Sequence, residues 1–140
     1  RAAHLQPHPG HIAGPGGKVD DTEDGVIAAA LREAREEVGL AETLVEVVGT
    51  LPEHETVTGF NVTPVLGFIR DDFDPRAEAG EVEEVFSVPL SHVLDLDRYS
   101  IERRRWRNEW RRYYAVPWGP YYIWGATARI LRGLADRVQG

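Results

Sequence analysis

The stretch Gly17-Lys18-Val19-Asp20-Asp21-Thr22-Glu23-Asp24-Gly25-Val26-Ile27-Ala28-Ala29-Ala30-Leu31-Arg32-Glu33-Ala34-Arg35-Glu36-Glu37-Val38-Gly39-Leu40 decides how this chain is read. Asp21-Thr22 offers N-cap side chains, and Glu23 and Asp24 suit the positive end of a helix. Ala28 to Glu33 are strong helix formers, and Gly39 stands where a C′ glycine belongs. The pattern predicts a helix over roughly Asp24 to Val38. At 100° per residue, Ile27, Leu31, Ala34 and Val38 share one apolar stripe. Glu33, Glu36 and Glu37 share a neighbouring arc of roughly 100°. Like charges at this spacing repel by a few tenths of a kcal/mol per pair. Two readings follow. Either the arc holds a hard cation such as Mg²⁺, which takes oxygen ligands, or it is a solvated acidic face partly neutralised by Arg32 and Arg35.

Upstream, residues 1–17 hold three Pro and four Gly, a density that breaks helices and shapes a loop. His4, His8 and His11 lie in it, but Pro7 and Pro9 forbid the regular helix that would align them on a metal. Downstream, Val45–Leu51 and Phe60–Ile69 read as strands, Glu81–Val88 as a strand edged with carboxylates, and Leu90–Leu96 as a short helix. Tyr113–Val116 and Tyr121–Trp124 are strand-like. A last helix is expected from Gly125 or Ala126 to Val138, with Ile130, Leu131, Leu134 and Val138 on one face. Trp118, Tyr121, Tyr122 and Trp124 are expected to be packing residues. Helices and strands joined by hairpin-length connections point to an α+β chain, an α/β/α sandwich, rather than a doubly wound sheet.

The chain has 140 residues, the size of one domain, and 1–140 is read as such. It opens at Arg1 directly in a loop-like stretch, so an upstream N-terminal strand is expected to be missing. Cys is absent, which excludes disulfides, Cys-ligated metals and a Cys nucleophile. That fits a reducing compartment, and a cytoplasmic location is expected. No apolar run reaches the ~20 residues of a membrane helix. Sixteen basic against 23 acidic residues give a net charge of −7, which makes generic duplex-DNA binding unfavourable.

The Gly17–Leu40 stretch resembles the Nudix box: Gly, five residues, Glu, seven residues, then Arg-Glu-apolar-x-Glu-Glu-x-Gly-apolar. Gly17 and Glu23 fit the first half, and Arg32-Glu33-Ala34-Arg35-Glu36-Glu37-Val38-Gly39-Leu40 matches the second in full. Eight residues rather than seven separate Glu23 from Arg32, so Glu23 or Asp24 takes the first acidic position. Just upstream, Arg1-Ala2, Gly10 and Gly14-Pro15-Gly16-Gly17 are similar to the motif of the coenzyme A diphosphatase subfamily. Gln6 stands where that subfamily usually has Arg, and Gly14 where it has Phe. Segments 57–65, 86–90 and 122–128 resemble it too.

The resemblance implies a Nudix fold, a mixed sheet packed between helices, and a metal-dependent hydrolase using Mg²⁺ or Mn²⁺. Glu33 and Glu37 would be core metal ligands and Glu36 a third. Arg32 would orient carboxylates, pairing with Glu36 or with the acid at Glu23/Asp24. Gly16 and Gly17 would let the backbone approach a metal or phosphate. Arg1 and Lys18 are candidate substrate-binding residues. The catalytic base is either Glu36 or Glu81. The implied reaction cleaves coenzyme A, and plausibly acyl-CoA or oxidised CoA, to 3′,5′-ADP and 4′-phosphopantetheine. Alternatives are another nucleoside diphosphate derivative such as ADP-ribose or NADH, or a non-catalytic nucleotide-sensing module. The expected partners are small molecules, with no membrane, nucleic acid disfavoured and a homodimer considered.

Arg103, Arg104, Arg105, Arg107, Arg111 and Arg112, interleaved with Trp106 and Trp110, form the densest basic run. It reads as a grip on the 3′-phosphate of CoA with adenine stacking, as a single-strand nucleic-acid surface, or as a solvated hairpin or dimer contact.

Overall fold

The computed structural model describes residues 25–56, 59–69 and 84–139. They fall into two compact units, one within Arg1–Phe86 and one within Ser87–Gly140. The described elements are helices and antiparallel ladders, the α+β class expected from the sequence.

In the first unit, α1 spans Gly25–Val38. Gly39 ends it with φ +74°, and its N–H donates to the Arg35 carbonyl at 3.1 Å. That is the left-handed C-cap a glycine adopts without strain. A 3₁₀ turn at Glu42–Leu44 leads into β1 (Val45–Thr50). A two-residue ladder pairs β2 (His54–Glu55) with β3 (Asn61–Val62). Strand β4 (Val65–Ile69) returns antiparallel to β1, with a register shift between Val47 and Gly49 that leaves Val48 as the extra residue of a bulge. The apolar run expected over 60–69 is thus two short strands, because Pro64 can donate nothing to a ladder.

Residues 84–88 form no strand, contrary to the carboxylate-edged strand expected over Glu81–Val88; residues 81–83 lie outside the described residues. Pro89 has no N–H to give a ladder and stands at the N-cap of the helix that follows, so the segment feeds a helix instead. In the second unit, α2 is Leu90–Val93 only. The helix expected to reach Leu96 is cut because Asp95 is extended and its carboxylate accepts the Asp97 N–H at 3.0 Å, capping a separate 3₁₀ turn at Leu96–Arg98. Tyr99 O–H donates to the Val93 carbonyl at 2.6 Å and ties this segment together.

Strands β5 (Ser100–Trp106) and β6 (Glu109–Ala115) form a hairpin of seven opposed pairs. Its two-residue turn, Arg107-Asn108, has φ +50° and +63°, the positive pair that a type I′ turn demands. A second small hairpin follows. Trp118 and Tyr121 exchange backbone hydrogen bonds of 2.9 Å across Gly119-Pro120, and Gly119 takes φ +54°. Val116 N–H donates to Ile123 at 2.8 Å, and Trp124 bridges Ala115. Helix α3 (Gly125–Gln139) packs on β6 and closes the unit. The Gln139 amide donates to the Leu94 carbonyl.

The core of this unit is Val93, Ala115, Val116, Ile123, Ala128 and Ala135. Burial of Val116 and Ile123 contributes about 1.5–3 kcal/mol each. Ile130, Leu131 and Leu134 are half-buried, as the helical pattern predicts, but Val138 is 61% exposed. It sits in the final turn, beyond the reach of the hairpin.

A Cβ on Gly67 would lie 2.7 Å from Val45 Cγ1, a stiff β-branched side chain on the paired strand. Gly67→Ala should therefore cost about 1–2 kcal/mol despite the entropy removed from the unfolded chain, read as a lower urea midpoint at unchanged slope.

Candidate active site

Helix α1 places three of the expected metal ligands on successive turns. Arg32 Nη1 lies 2.9 Å from Glu33 Oε1 and 3.0 Å from Glu36 Oε2. One guanidinium thus holds two carboxylates, one at its neighbour and one a helical turn away. Glu36 is one of the two partners expected for Arg32; the other, the acid at Glu23/Asp24, lies outside the described residues. The side chain of Glu33 is 15% exposed and that of Glu36 47%. Glu37 is buried, at 6%.

That burial departs from the amphipathic reading. Of the stripe Ile27, Leu31, Ala34 and Val38, only Val38 is buried, and Leu31 and Ala34 are half-buried. Ala29, Glu37 and Val38 are buried, while Ile27 is 38% exposed. The buried side is rotated toward the acidic arc, so a carboxylate occupies a place where periodicity favours an apolar residue. A carboxylate taken out of water needs hydrogen bonds or a cation. Arg1, Gly16, Gly17, Lys18, Glu23, Asp24, Glu81 and the three early histidines lie outside the described residues.

The donor chemistry of α1 fits a hard divalent cation, because every candidate is a carboxylate oxygen. Among the described residues no three His, Asp or Glu side chains converge into a ready cage. Mg²⁺ asks for none, being held by one or two carboxylates with water and substrate phosphates.

In the second unit, the hairpin register fixes which arginines share a face. Glu102, Arg104 and Trp106 lie with Tyr113, Arg111 and Glu109; Arg103 and Arg105 lie with Arg112 and Trp110. Arg104 is 5.0 Å from the Trp124 ring centre and 5.8 Å from that of Trp106. Tyr113 meets Trp124 edge-on at 5.2 Å, and its hydroxyl is 3.1 Å from that of Tyr122. Arg104, Tyr113, Tyr122 and Trp124 line an open cleft of about 310 Å³. The sequence reading took Trp118, Tyr121, Tyr122 and Trp124 as packing residues. Trp118 and Tyr122 are exposed, and Trp124 and Tyr121 half-buried. The Gly119-Pro120 turn explains this, since it lifts the aromatic pairs along a short ribbon with only one side covered.

The NUDIX domain profile matches residues 1–114. Proteins from Shigella boydii serotype 4 (strain Sb227), Escherichia coli O6:H1 (strain CFT073) and Escherichia coli O1:K1 are each 47% identical over 138 residues. The match spans 99% of this chain and 72% of theirs. Each carries the name uncharacterized Nudix hydrolase NudL. The chain belongs to the Nudix family. It is a Nudix hydrolase, cleaving a pyrophosphate bond in a nucleoside diphosphate derivative. Members of the family generally use divalent ions such as Mg²⁺ or Mn²⁺. Among the described residues no helix is long and apolar enough to cross a membrane.

The Tyr113–Tyr122 pair yields a pH test. The hydrogen bond that the Tyr122 O–H donates to the Tyr113 oxygen, and then burial, push the Tyr122 hydroxyl up to about 12. The folded form therefore favours the neutral phenol. That contribution is complete below the ordinary value of about 10 and is lost as pH rises through about 12. Tyr113→Phe should lower the Tyr122 value toward 10, seen as earlier tyrosinate absorbance in an alkaline titration.

Proposed function

We propose that this Nudix hydrolase is a coenzyme A diphosphatase. The observation that carries the substrate reading is the motif ahead of the box, Arg1-Ala2, Gly10 and Gly14-Pro15-Gly16-Gly17, at the spacing of that subfamily. The products are 3′,5′-ADP and 4′-phosphopantetheine. Residues 1–140 act as a single Nudix domain in this reading, in the cytoplasm, on a small-molecule substrate.

On α1, Glu33 and Glu37 are the core ligands and Glu36 a third. A bound Mg²⁺ or Mn²⁺ supplies neutralisation of the diphosphate and a lowered pKa for attacking water. Arg32 fixes the Glu33 and Glu36 carboxylates in one orientation, which restricts the rotamers that a long acidic side chain would otherwise sample. Glu37 is held by its burial, so its position costs little further ordering on substrate binding. Glu36, the most exposed of the three, keeps its second carboxylate oxygen, Oε1, for a proton while Arg32 holds Oε2; Glu81 is the other candidate base. Gly16 and Gly17 admit close backbone approach to phosphate, and Arg1 and Lys18 offer cations to it.

The test is product analysis. Incubation with Mg²⁺ or Mn²⁺ and, separately, CoA, ADP-ribose and NADH should release 3′,5′-ADP and phosphopantetheine from CoA, identified by mass. Turnover of ADP-ribose or NADH but not CoA would retain the Nudix chemistry and overturn the substrate. Glu37→Gln keeps the shape of the buried side chain and removes its charge. It should lower turnover by on the order of 100-fold or more. A nucleotide-sensing module would show no turnover to lose.

A further inference from the structure

The β5–β6 hairpin opposes arginine with arginine twice in succession, Arg103 to Arg112 and Arg104 to Arg111. Like charges directly across a ladder are destabilising. Arg111 is 3.7 Å from Glu109 on its own strand. Among the described residues Arg104 has no carboxylate partner, and its nearest company is the rings of Trp124 and Trp106. A guanidinium over an aromatic ring gains about 0.5–1 kcal/mol at an exposed site, which leaves its donors unspent.

Arg104, with Tyr113, Tyr122 and Trp124, lines the open cleft of about 310 Å³, at the small end of the range of ligand pockets, roughly 300–1,000 Å³. Three aromatic rings line it, with Tyr122 and Trp124 inclined at 30° to each other and their centres 6.4 Å apart. One hydroxyl hydrogen is spent on the bond between the two tyrosines, so the other remains for a ring nitrogen, and the oxygen lone pairs for an amino group. Glu102, on the same face, disfavours an anion at its end and leaves the Arg104–Arg111 end as the place for one. We propose that this cleft is a mononucleotide site, with a purine base laid against Tyr122 and Trp124 and its phosphate held by Arg104. The net charge of −7 opposes a polyanion and favours a single nucleotide. The proposal does not depend on which diphosphate the enzyme hydrolyses.

The full chain, without divalent metal, is titrated with adenosine 5′-monophosphate while tryptophan fluorescence is followed. Saturable quenching is expected, with adenosine and inorganic phosphate each binding about tenfold or more weakly. Arg104→Gln should raise the Kd about tenfold. Tyr122→Ala should raise it too, with the fold of the variant checked by its urea midpoint. Arg103→Gln, on the opposite face of the hairpin, should leave it within about twofold. Absence of saturable binding would overturn the proposal. So would an equal loss in Arg103→Gln, which would mark a diffuse basic surface, or tighter binding of a short single-stranded oligonucleotide than of the mononucleotide.

Discussion

Concentrated like charge is the constraint on which this structure turns. On α1, three carboxylates fall within five residues, and one guanidinium, Arg32, bridges two of them at 2.9 and 3.0 Å. An exposed pair of this kind contributes only about 0.3–0.5 kcal/mol to helix stability. Its effect is positional. It fixes the directions of Glu33 and Glu36 while the burial of Glu37 fixes the third. A sequence selected for stability alone would not bury a carboxylate on the helix that already carries the densest acidic arc.

The hairpin of the second unit shows the same logic with the sign reversed. Its arginines lie against tryptophans, Arg103 and Arg105 flanking Trp110 at 5.5 and 5.8 Å and Arg104 between Trp106 and Trp124. The aromatic faces give the aliphatic stems apolar cover and offset part of the repulsion across the ladder.

Much of this was legible in the sequence, and for identifiable reasons. Helix α1 and its end were readable because alanine-rich propensity, the acidic start and Gly39 all agree. Helix α3 was readable from its period. Strand β5 was not, because arginines fill its positions and hide the alternation that marks a half-buried strand, and because Arg107-Asn108 lacks the glycine that usually announces a type I′ turn. The break between α2 and the 3₁₀ turn was hidden in one side chain, Asp95, whose capping of Asp97 outcompetes continuation of the helix.

The site divides in the same way. Carboxylate spacing marked Glu33, Glu36 and Glu37 as a group, and the full motif turned that group from an acidic face into a candidate metal helix. Spacing carried no information on depth. Ile27 is exposed and Glu37 is buried because the neighbours that cover a helix are set by tertiary packing, which a helical wheel cannot contain. The aromatic cleft was illegible for a related reason. Tyr122 and Trp124 are alternate residues of a segment just after β6, and Arg104 and Tyr113 come from two different strands. Only the ladder register, Glu102 opposite Tyr113 and Arg104 opposite Arg111, puts the arginine beside the rings. A one-residue slip would turn Arg104 and its alternates to the other face and dissolve the cleft. The type I′ turn that sets this register thereby specifies the chemistry of the cleft as well as the path of the chain.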